Sequence, residues 1–161
     1  MATRKVLSML GSEVVGLGAI LFVSAMDVPG QAAAQTVPGQ QVSGMKIRMD
    51  IGGATISGTL TDSLTAREFA SLLPLTVTLK DYAGTEKISD LPKRLSTEGA
   101  PRGFDPSVGD IACYAPWGKL AIFYRDFEYS TGLIKLGEIA SGAATLSRPG
   151  SVQATITLAN D

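Results

Sequence analysis

The chain has 161 residues, 45% of them hydrophobic and 18% charged, which fits one globular domain and excludes a disordered chain. Its formal net charge of -1 excludes a strong attraction to nucleic acid or to an anionic membrane surface. The absence of histidine and the presence of one cysteine exclude Ser-His-Asp and Cys-His catalysis, histidine-ligated metals, thiolate clusters and an intrachain disulfide. Carboxylate chemistry, oxygen-ligated metals and binding without catalysis stay open. Nothing in the sequence calls for a cofactor.

Residues 1–34 have the pattern of a cleavable signal peptide. Arg4 and Lys5 form a short basic region, residues 14–23 form an uncharged apolar core, and residues 32–34 are three alanines. The apolar core is shorter than the roughly 20 residues that a transmembrane helix needs. We therefore predict export, to a periplasm or out of the cell, with no membrane attachment after cleavage. A retained N-terminal anchor is the alternative.

The sequence predicts a flexible, polar lead-in over residues 35–44 and a single β domain over residues 45–161. Apolar and polar residues alternate along residues 45–51 and 54–60, on either side of a Gly52-Gly53 pair that suits a two-residue hairpin turn. Further strands are predicted at residues 75–79, 111–114, 120–124, 133–139 and 152–158. The strand at 120–124 is almost wholly apolar, which indicates that it is covered on both faces.

One helix is predicted between the strands. Thr65 and Glu68 fit a capping box at its start, and Pro74 ends it. Its apolar face is formed by Ala66, Phe69, Ala70 and Leu73. We expect a turn at residues 81–84 and a short helical turn at 143–146. Seven or eight short strands with one or two small helices indicate a closed β-barrel, which has no exposed edge strand.

The segment Pro92–Gly109 differs from the strands around it. Three prolines and three glycines interrupt it, and no hydrophobic period persists. Long irregular segments in compact domains often carry functional residues, because loops present side chains on a rigid scaffold. The alternative is a connection that merely covers the barrel.

Several runs of residues resemble the bacterial cyclophilin-like family. They are GFDPSVGDI (residues 103–111), YAPWGKLAIFY (114–124), GLIKLG (132–137) and LLPL (72–75). The resemblance extends over residues 45–158. It implies a small cyclophilin-type β-barrel, and it does not by itself imply isomerase activity.

Cyclophilins that isomerise X-Pro bonds use an arginine that hydrogen-bonds the prolyl amide beside a hydrophobic proline pocket. Their Phe-His-Arg and Gln-Gly-Gly-Asp signatures have no counterpart in this sequence. Because the mechanism needs no acid or base, the lack of histidine leaves isomerisation possible in principle. Arg102 and Arg125 are then the candidate catalytic residues of a divergent peptidyl-prolyl isomerase acting on exported proteins.

Four aromatic residues are candidates for ligand binding: Phe104, Tyr114, Trp117 and Tyr124. We expect a barrel mouth, lined by the Pro92–Gly109 segment and the turn at Trp117, to hold a small apolar ligand or a proline-containing peptide. A non-catalytic binding domain is the favoured prediction. The structural alternatives are a Trp117 that plugs the barrel end, a Phe104 that anchors its loop, and a domain without any pocket.

Two further sets of residues have a chemical and a structural interpretation. Asp105 and Asp110 are either turn residues or a carboxylate pair for acid–base chemistry. Cys113 alternates in register with Ile111 and Ala115, so we expect it to be a small buried hydrophobic residue.

Overall fold

The computed structural model describes residues 44–159. The predicted signal peptide and residues 35–43 of the predicted lead-in lie outside these residues. In chain order the described elements are β1 Lys46–Ile51, β2 Ala54–Leu60, α1 Leu64–Ala70, β3 Leu75–Tyr82, β4 Glu86–Asp90, β5 Gly103–Phe104, β6 Asp110–Tyr114, β7 Lys119–Phe123, β8 Ser130–Thr131, β9 Leu133–Ile139, the 3-10 helix η1 Ala143–Ser147, and β10 Val152–Leu158.

Eight strands form a closed antiparallel barrel in the order β1-β10-β3-β4-β7-β6-β9-β2. Closure pairs both sides of every barrel strand, which explains why no strand needs protection as an edge. The β1–β2 hairpin turns at Gly52 and Gly53, whose positive φ angles of 55° and 86° suit a two-residue turn. The structure confirms the closed β-barrel and this hairpin, both predicted from the sequence.

Alternation along the strands separates the inside of the barrel from the outside. In β1, Ile47, Met49 and Ile51 are buried, whereas Lys46 and Arg48 are exposed. The inward-facing residues of the other strands complete one core, which includes Ile56, Leu60, Leu79, Ile111, Cys113, Leu120, Ile122, Leu136, Ala154 and Ile156.

Two short helices cover opposite ends of the barrel. α1 follows β2 at the end where Leu60 lies, and its Phe69 is fully buried in the core. η1 lies beside Ile51 at the other end and buries Leu146 in the same core. The short helical turn predicted at residues 143–146 is therefore confirmed as a 3-10 helix.

The predicted capping box at Thr65 is wrong, because the N-cap of α1 is Ser63. The Ser63 hydroxyl accepts a hydrogen bond from the Ala66 amide at 3.1 Å. Thr65 Oγ1 instead donates to the Ser96 carbonyl at 2.7 Å, and Glu68 Oε2 accepts from the Ser96 amide at 2.8 Å. Both side chains thus attach the helix to the segment that follows β4.

The turn predicted at residues 81–84 is shorter in the structure. β3 continues through Tyr82, and the chain reverses at Ala83 and Gly84, whose φ angles are 51° and 70°. The longer β3 pairs with β4, a strand that the sequence analysis did not predict.

β4 carries a charged side chain into the barrel. Lys87 is 1% exposed, and its Nζ donates to the carbonyls of Arg148 and Gly150 at 2.7 and 2.8 Å. The same Nζ lies 3.2 Å from Asp81 Oδ2, and Asp81 also accepts from the Tyr124 hydroxyl. That hydroxyl and the Lys87 ammonium hold the pKa of Asp81 below its ordinary value. The network ties the loop before β10 to β3 and β4.

A second apolar cluster lies on the outside of the barrel, across β4, β7, β6 and β9. Its members are the buried residues Ala112, Ala121, Phe123 and Leu133 and the partly buried residues Ile88, Phe104 and Tyr114. In β7, Leu120 and Ile122 belong to the inner core, whereas Ala121 and Phe123 belong to this outer cluster. The prediction that this strand is covered on both faces is confirmed.

The segment Pro92–Gly109 covers part of the barrel. Leu95 is buried in the inner core, and Phe104 packs against the outer cluster. The two-residue strand β5 within the segment pairs with β8, which fixes it over the outer face. These contacts match the covering connection that the sequence analysis left open as an alternative.

Candidate functional site: a groove on the outer face of the barrel

A groove of about 220 Å³ opens onto the outer cluster. Its floor consists of outward-facing strand residues, namely Ile88, Ala121, Phe123 and Leu133. Its walls come from two turns and the loop after β7, and their apolar members are Tyr82, Ala83, Tyr114, Trp117 and Phe127. The groove is therefore built on the outside of the sheet, away from the barrel interior.

Trp117 is the centre of the aromatic wall. Its ring meets the Tyr114 ring edge-to-face, with centroids 5.0 Å apart and an interplanar angle of 86°. It meets the Tyr82 ring in the same manner at 6.3 Å and 82°. Edge-to-face contacts of this kind fix ring orientation and add to the stability of the cluster. Trp117 still exposes 54% of its surface, so it presents a large apolar face to solvent.

Small residues create the recess below this wall. Ala112 and Ala121 are directly paired on the neighbouring strands β6 and β7, and Ile88 pairs with Ala121 from the other side. Of the two alanines, Ala121 lines the groove, and its methyl side chain leaves a depression between the larger side chains of the floor. At its rim, Gly132 has a φ of 86°, and a Cβ there would meet the Pro116 ring at 2.8 Å. The absence of that Cβ lets the chain pass close to the turn that carries Trp117.

Polar groups lie at the two ends of the groove. At one end is Glu86, about half buried, whose Oε2 accepts a hydrogen bond from Thr85 Oγ1. Burial raises the pKa of Glu86 above its ordinary value, although the Thr85 hydrogen bond partly offsets this. At the other end, Lys119 forms an ion pair with Asp90. The Ser130 residue also lines the groove.

Two of the four predicted ligand-binding residues lie in the groove. Tyr114 and Trp117 line it, as described above. Phe104 does not line it but packs against the same outer cluster. Tyr124 packs against the inner core and donates its hydroxyl to Asp81 at 2.8 Å. Whether any of the four contacts a ligand stays a prediction.

The two candidate arginines lie outside the groove. Arg102 is exposed, and its carbonyl accepts from the Gly132 amide at 2.7 Å. Arg125 is exposed as well, and its amide donates to the Thr85 carbonyl at 3.2 Å. Neither side chain belongs to the groove lining.

The candidate carboxylates differ in their surroundings. Asp110 is buried, accepts from the Ser107 amide at 2.9 Å and forms an ion pair with Lys135 at 2.8 Å. Asp105 is exposed. The turn interpretation therefore fits Asp110, whose carboxylate closes a turn onto Ser107. Burial alone would lower the pKa of Lys135, but Asp110 and Glu138 together raise it above its ordinary value.

Cys113 is buried in the inner core, as predicted, and burial raises the pKa of its thiol to about 11. Among residues 44–159, no group of three or more His, Cys, Asp or Glu side chains is placed to hold a metal ion. The helices in this part of the chain are too short or too polar to cross a membrane.

Sequence reasoning missed Tyr82, Glu86 and Phe127 as groove residues. The site predicted at the barrel mouth beside the Pro92–Gly109 segment stays a prediction, and that segment contributes no residue to the groove lining. One feature of the sequence indicates a groove or a cover on the outer face. The apolar outward-facing residues Ala121 and Phe123 in β7 require a cover or a partner on the outside of the sheet.

Comparison with known proteins defines the class to which this barrel belongs. The sequence profile of the cyclophilin-like family matches residues 49–157, so the chain belongs to the cyclophilin-like family. The solution structure of a hypothetical protein from Archaeoglobus fulgidus is similar, with a TM-score of 0.58 and 17% sequence identity over 75% of this chain and 99% of the archaeal one. At that identity the similarity shows a shared fold. No curated protein matches the sequence.

Proposed function

We propose that this protein is a non-catalytic binding domain whose outer groove holds an apolar segment of a peptide. The observation that carries the proposal is the open groove with an apolar floor and a half-exposed Trp117 in its wall. Concave apolar sites with a few polar groups are the usual form of binding sites.

The size of the groove favours a peptide segment over a whole small ligand. Its 220 Å³ is below the roughly 300–1,000 Å³ of pockets that enclose drug-sized ligands. One or two apolar side chains of a peptide suit this volume. Phe127 and Tyr129, which expose 47% and 58% of their surface, extend apolar surface along the loop after β7. Exposed aromatic surface around a recess is typical of peptide-binding faces.

The position of the arginines favours binding over isomerisation. A cyclophilin-type isomerase would need an arginine beside the proline recess, and the lining of the groove, within residues 44–159, includes none. The cation in the lining is Lys119, which is paired with Asp90. The divergent isomerase therefore stands as the alternative that the experiment below distinguishes.

Trp117 is the only tryptophan of the chain, so tryptophan emission reports directly on the groove. We expect the peptide Ac-Ala-Leu-Pro-Phe-Ala-NH2 to shift this emission with a Kd of about 0.1–1 mM, as for a small interface. Ala121→Leu places a larger side chain on the groove floor and should weaken binding more than tenfold. Ala144→Leu adds the same side chain at an exposed position of η1 and should leave binding unchanged.

Absence of binding, or equal binding by Ala121→Leu, would refute the groove as the site. Exchange spectroscopy on the same peptide measures its Leu-Pro isomerisation, which takes tens of seconds or longer without a catalyst. Exchange accelerated by the protein would replace the non-catalytic proposal with the isomerase, and Arg102→Ala and Arg125→Ala would then identify the arginine.

We also propose that the domain acts after export, in a periplasm or outside the cell. The support is the basic, apolar and alanine-rich pattern of residues 1–34, which lie outside the described structure. Intact-mass measurement of the protein from the medium or periplasm should give a chain that begins at Gln35. A chain that keeps residues 1–34 and sediments with membranes would contradict export in soluble form and support the anchor.

A further inference from the structure

The acidic end of the groove combines a carboxylate with aromatic rings. Tyr82, Glu86 and Phe123 lie opposite one another in register on the three adjacent strands β3, β4 and β7. All three side chains line the groove, so they project from the same face of the sheet. Directly opposed residues on antiparallel strands have Cβ atoms about 4.5–5.5 Å apart, so the Glu86 side chain is flanked by an aromatic residue on each neighbouring strand.

Glu86 has no cationic partner among the described residues. Its hydrogen-bond partner is the neutral Thr85 hydroxyl. Lys119, the cation of the groove lining, lies four residues from Phe123 along β7, which corresponds to about 13 Å of strand. Lys119 is also held by Asp90. The Glu86 side chain is thus half buried, with aromatic residues opposite it on both neighbouring strands and no cation of the described residues to balance its charge. This arrangement favours a cation from outside.

We propose that the groove end formed by Glu86 and Tyr82, whose ring meets Trp117 edge-to-face, binds an arginine or lysine side chain of the peptide, next to the apolar side chain on the Ala121 floor. This inference rests on the proposed peptide-binding function. Aromatic faces attract cations through their quadrupole, and the attraction increases when the site is partly desolvated. The carboxylate supplies the charge-assisted hydrogen bonds, and guanidinium suits it best because it can donate two parallel bonds.

Burial supports this assignment from the protein side. The raised pKa of Glu86 means that the ionised carboxylate is less favourable in the groove than in water. A bound cation would offset that cost, since an opposite charge nearby favours the ionised form. The formal net charge of the whole chain is only -1, so long-range attraction between the protein and a cationic peptide would be weak. Selectivity for cations would therefore have to come from the groove itself.

The test compares two peptides on the full chain, Ac-Ala-Leu-Arg-Leu-Ala-NH2 and the same sequence with citrulline in place of arginine. Citrulline keeps the shape and hydrogen-bonding ability of the side chain and removes the charge. By Trp117 emission at low salt, we expect the arginine peptide to bind about tenfold more tightly. Glu86→Gln should reduce the ratio to about twofold, while Glu98→Gln, the same charge change at an exposed position outside the groove, should keep it tenfold.

The other possible results of this comparison each contradict one part of the proposal. Equal affinity for both peptides would overturn the cation site and leave the peptide-binding groove intact. A tenfold ratio that persists in Glu86→Gln would overturn the role of Glu86. If neither of these peptides binds while the Leu-Pro peptide does, the cation site fails and the proposed function stands. If none of the three peptides binds, both fail. The arginine-to-citrulline comparison on the unmodified protein needs no variant to fold, so it decides the question even if Glu86→Gln is unstable.

Discussion

Replacing Lys87 by methionine should destabilise the barrel by about 2 kcal/mol. Methionine has similar length and apolar volume, so the change removes the ammonium and little else. The two hydrogen bonds from Nζ to the carbonyls of Arg148 and Gly150 are bonds to a charged group, each with a net value of roughly 1.5–3 kcal/mol. Two effects reduce that sum: the lower desolvation cost and the other partners of the groups that Lys87 contacts. The ammonium no longer has to be desolvated on folding, which in comparable cases can cancel much of the loss.

The groups that lose Lys87 also keep other partners. Arg148 and Gly150 are exposed residues, so water can replace the ammonium at their carbonyls. Asp81 retains the Tyr124 hydroxyl at 2.8 Å and the Gly150 amide at 3.2 Å. The loss in free energy of unfolding is therefore below the roughly 3–5 kcal/mol expected when a fully buried ion pair is broken.

Urea unfolding followed by far-UV circular dichroism measures the effect. With an m-value of about 1.5 kcal/mol/M, a loss of 2 kcal/mol lowers the midpoint by about 1.3 M. The matched control is Lys93→Met, an exposed position where a change within about 0.5 kcal/mol is expected. The Gly150 amide should also exchange faster in Lys87→Met, because its loop is no longer attached to β4. A midpoint equal to that of Lys93→Met would refute the reasoning.

Three further predictions concern single residues. Burial raises the pKa of the Cys113 thiol to about 11. Ellman's reagent at pH 8 should therefore react at least about 100-fold more slowly with the folded protein than with the guanidinium-unfolded protein. Rapid labelling of the folded protein would contradict burial. Gly132→Ala should lower the free energy of unfolding by about 2 kcal/mol, since it adds a side chain at a φ of 86° and 2.8 Å from the Pro116 ring. The control is Gly84→Ala, at a φ of 70° with no neighbour within 4 Å, which should lower it by only about 1 kcal/mol. Equal melting temperatures for the two variants would refute the contact. Burial raises the folded-state pKa of Glu86 above 4.5, so its contribution to stability is fully present below pH 4.5 and is lost as pH rises through the raised pKa. Glu86→Gln should therefore melt at a higher temperature than the parent at pH 7 and at the same temperature at pH 4, and a parent protein that is the more stable of the two at pH 7 would show that the sign is wrong.

The strands that sequence reasoning identified are those with a clear apolar pattern, either alternating, as in β1 and β10, or nearly continuous, as in β7. β1 and β10 alternate because one face meets the inner core and the other meets water, so their pattern predicts both structure and orientation. β4 escaped prediction because its five residues contain a single apolar side chain, Ile88. One of its two inward positions is filled by Lys87, which is stabilised there by Asp81 and by carbonyls from distant parts of the chain. No local pattern could have shown that.

Part of the groove was predictable from the sequence. Tyr114 and Trp117 were identifiable because aromatic residues beside a turn are suited to form the wall of a binding groove. Tyr82 and Glu86 join them only because β3, β4 and β7 are neighbours in the barrel, and that order depends on pairing between segments far apart in sequence. The sequence thus predicts the kind of residue that lines the groove, but not the surface on which the groove lies.

β6 and β7 each present one set of side chains to the core and another to the groove. Exchanging outward-facing residues such as Ala121 changes the surface of the groove, while Leu120 and Ile122 continue to hold the barrel. The scaffold should therefore accept substitutions on its outer wall at little cost in folding. An insertion of one residue within β7 would have the opposite effect, because a shift of one position turns every side chain beyond it to the other face.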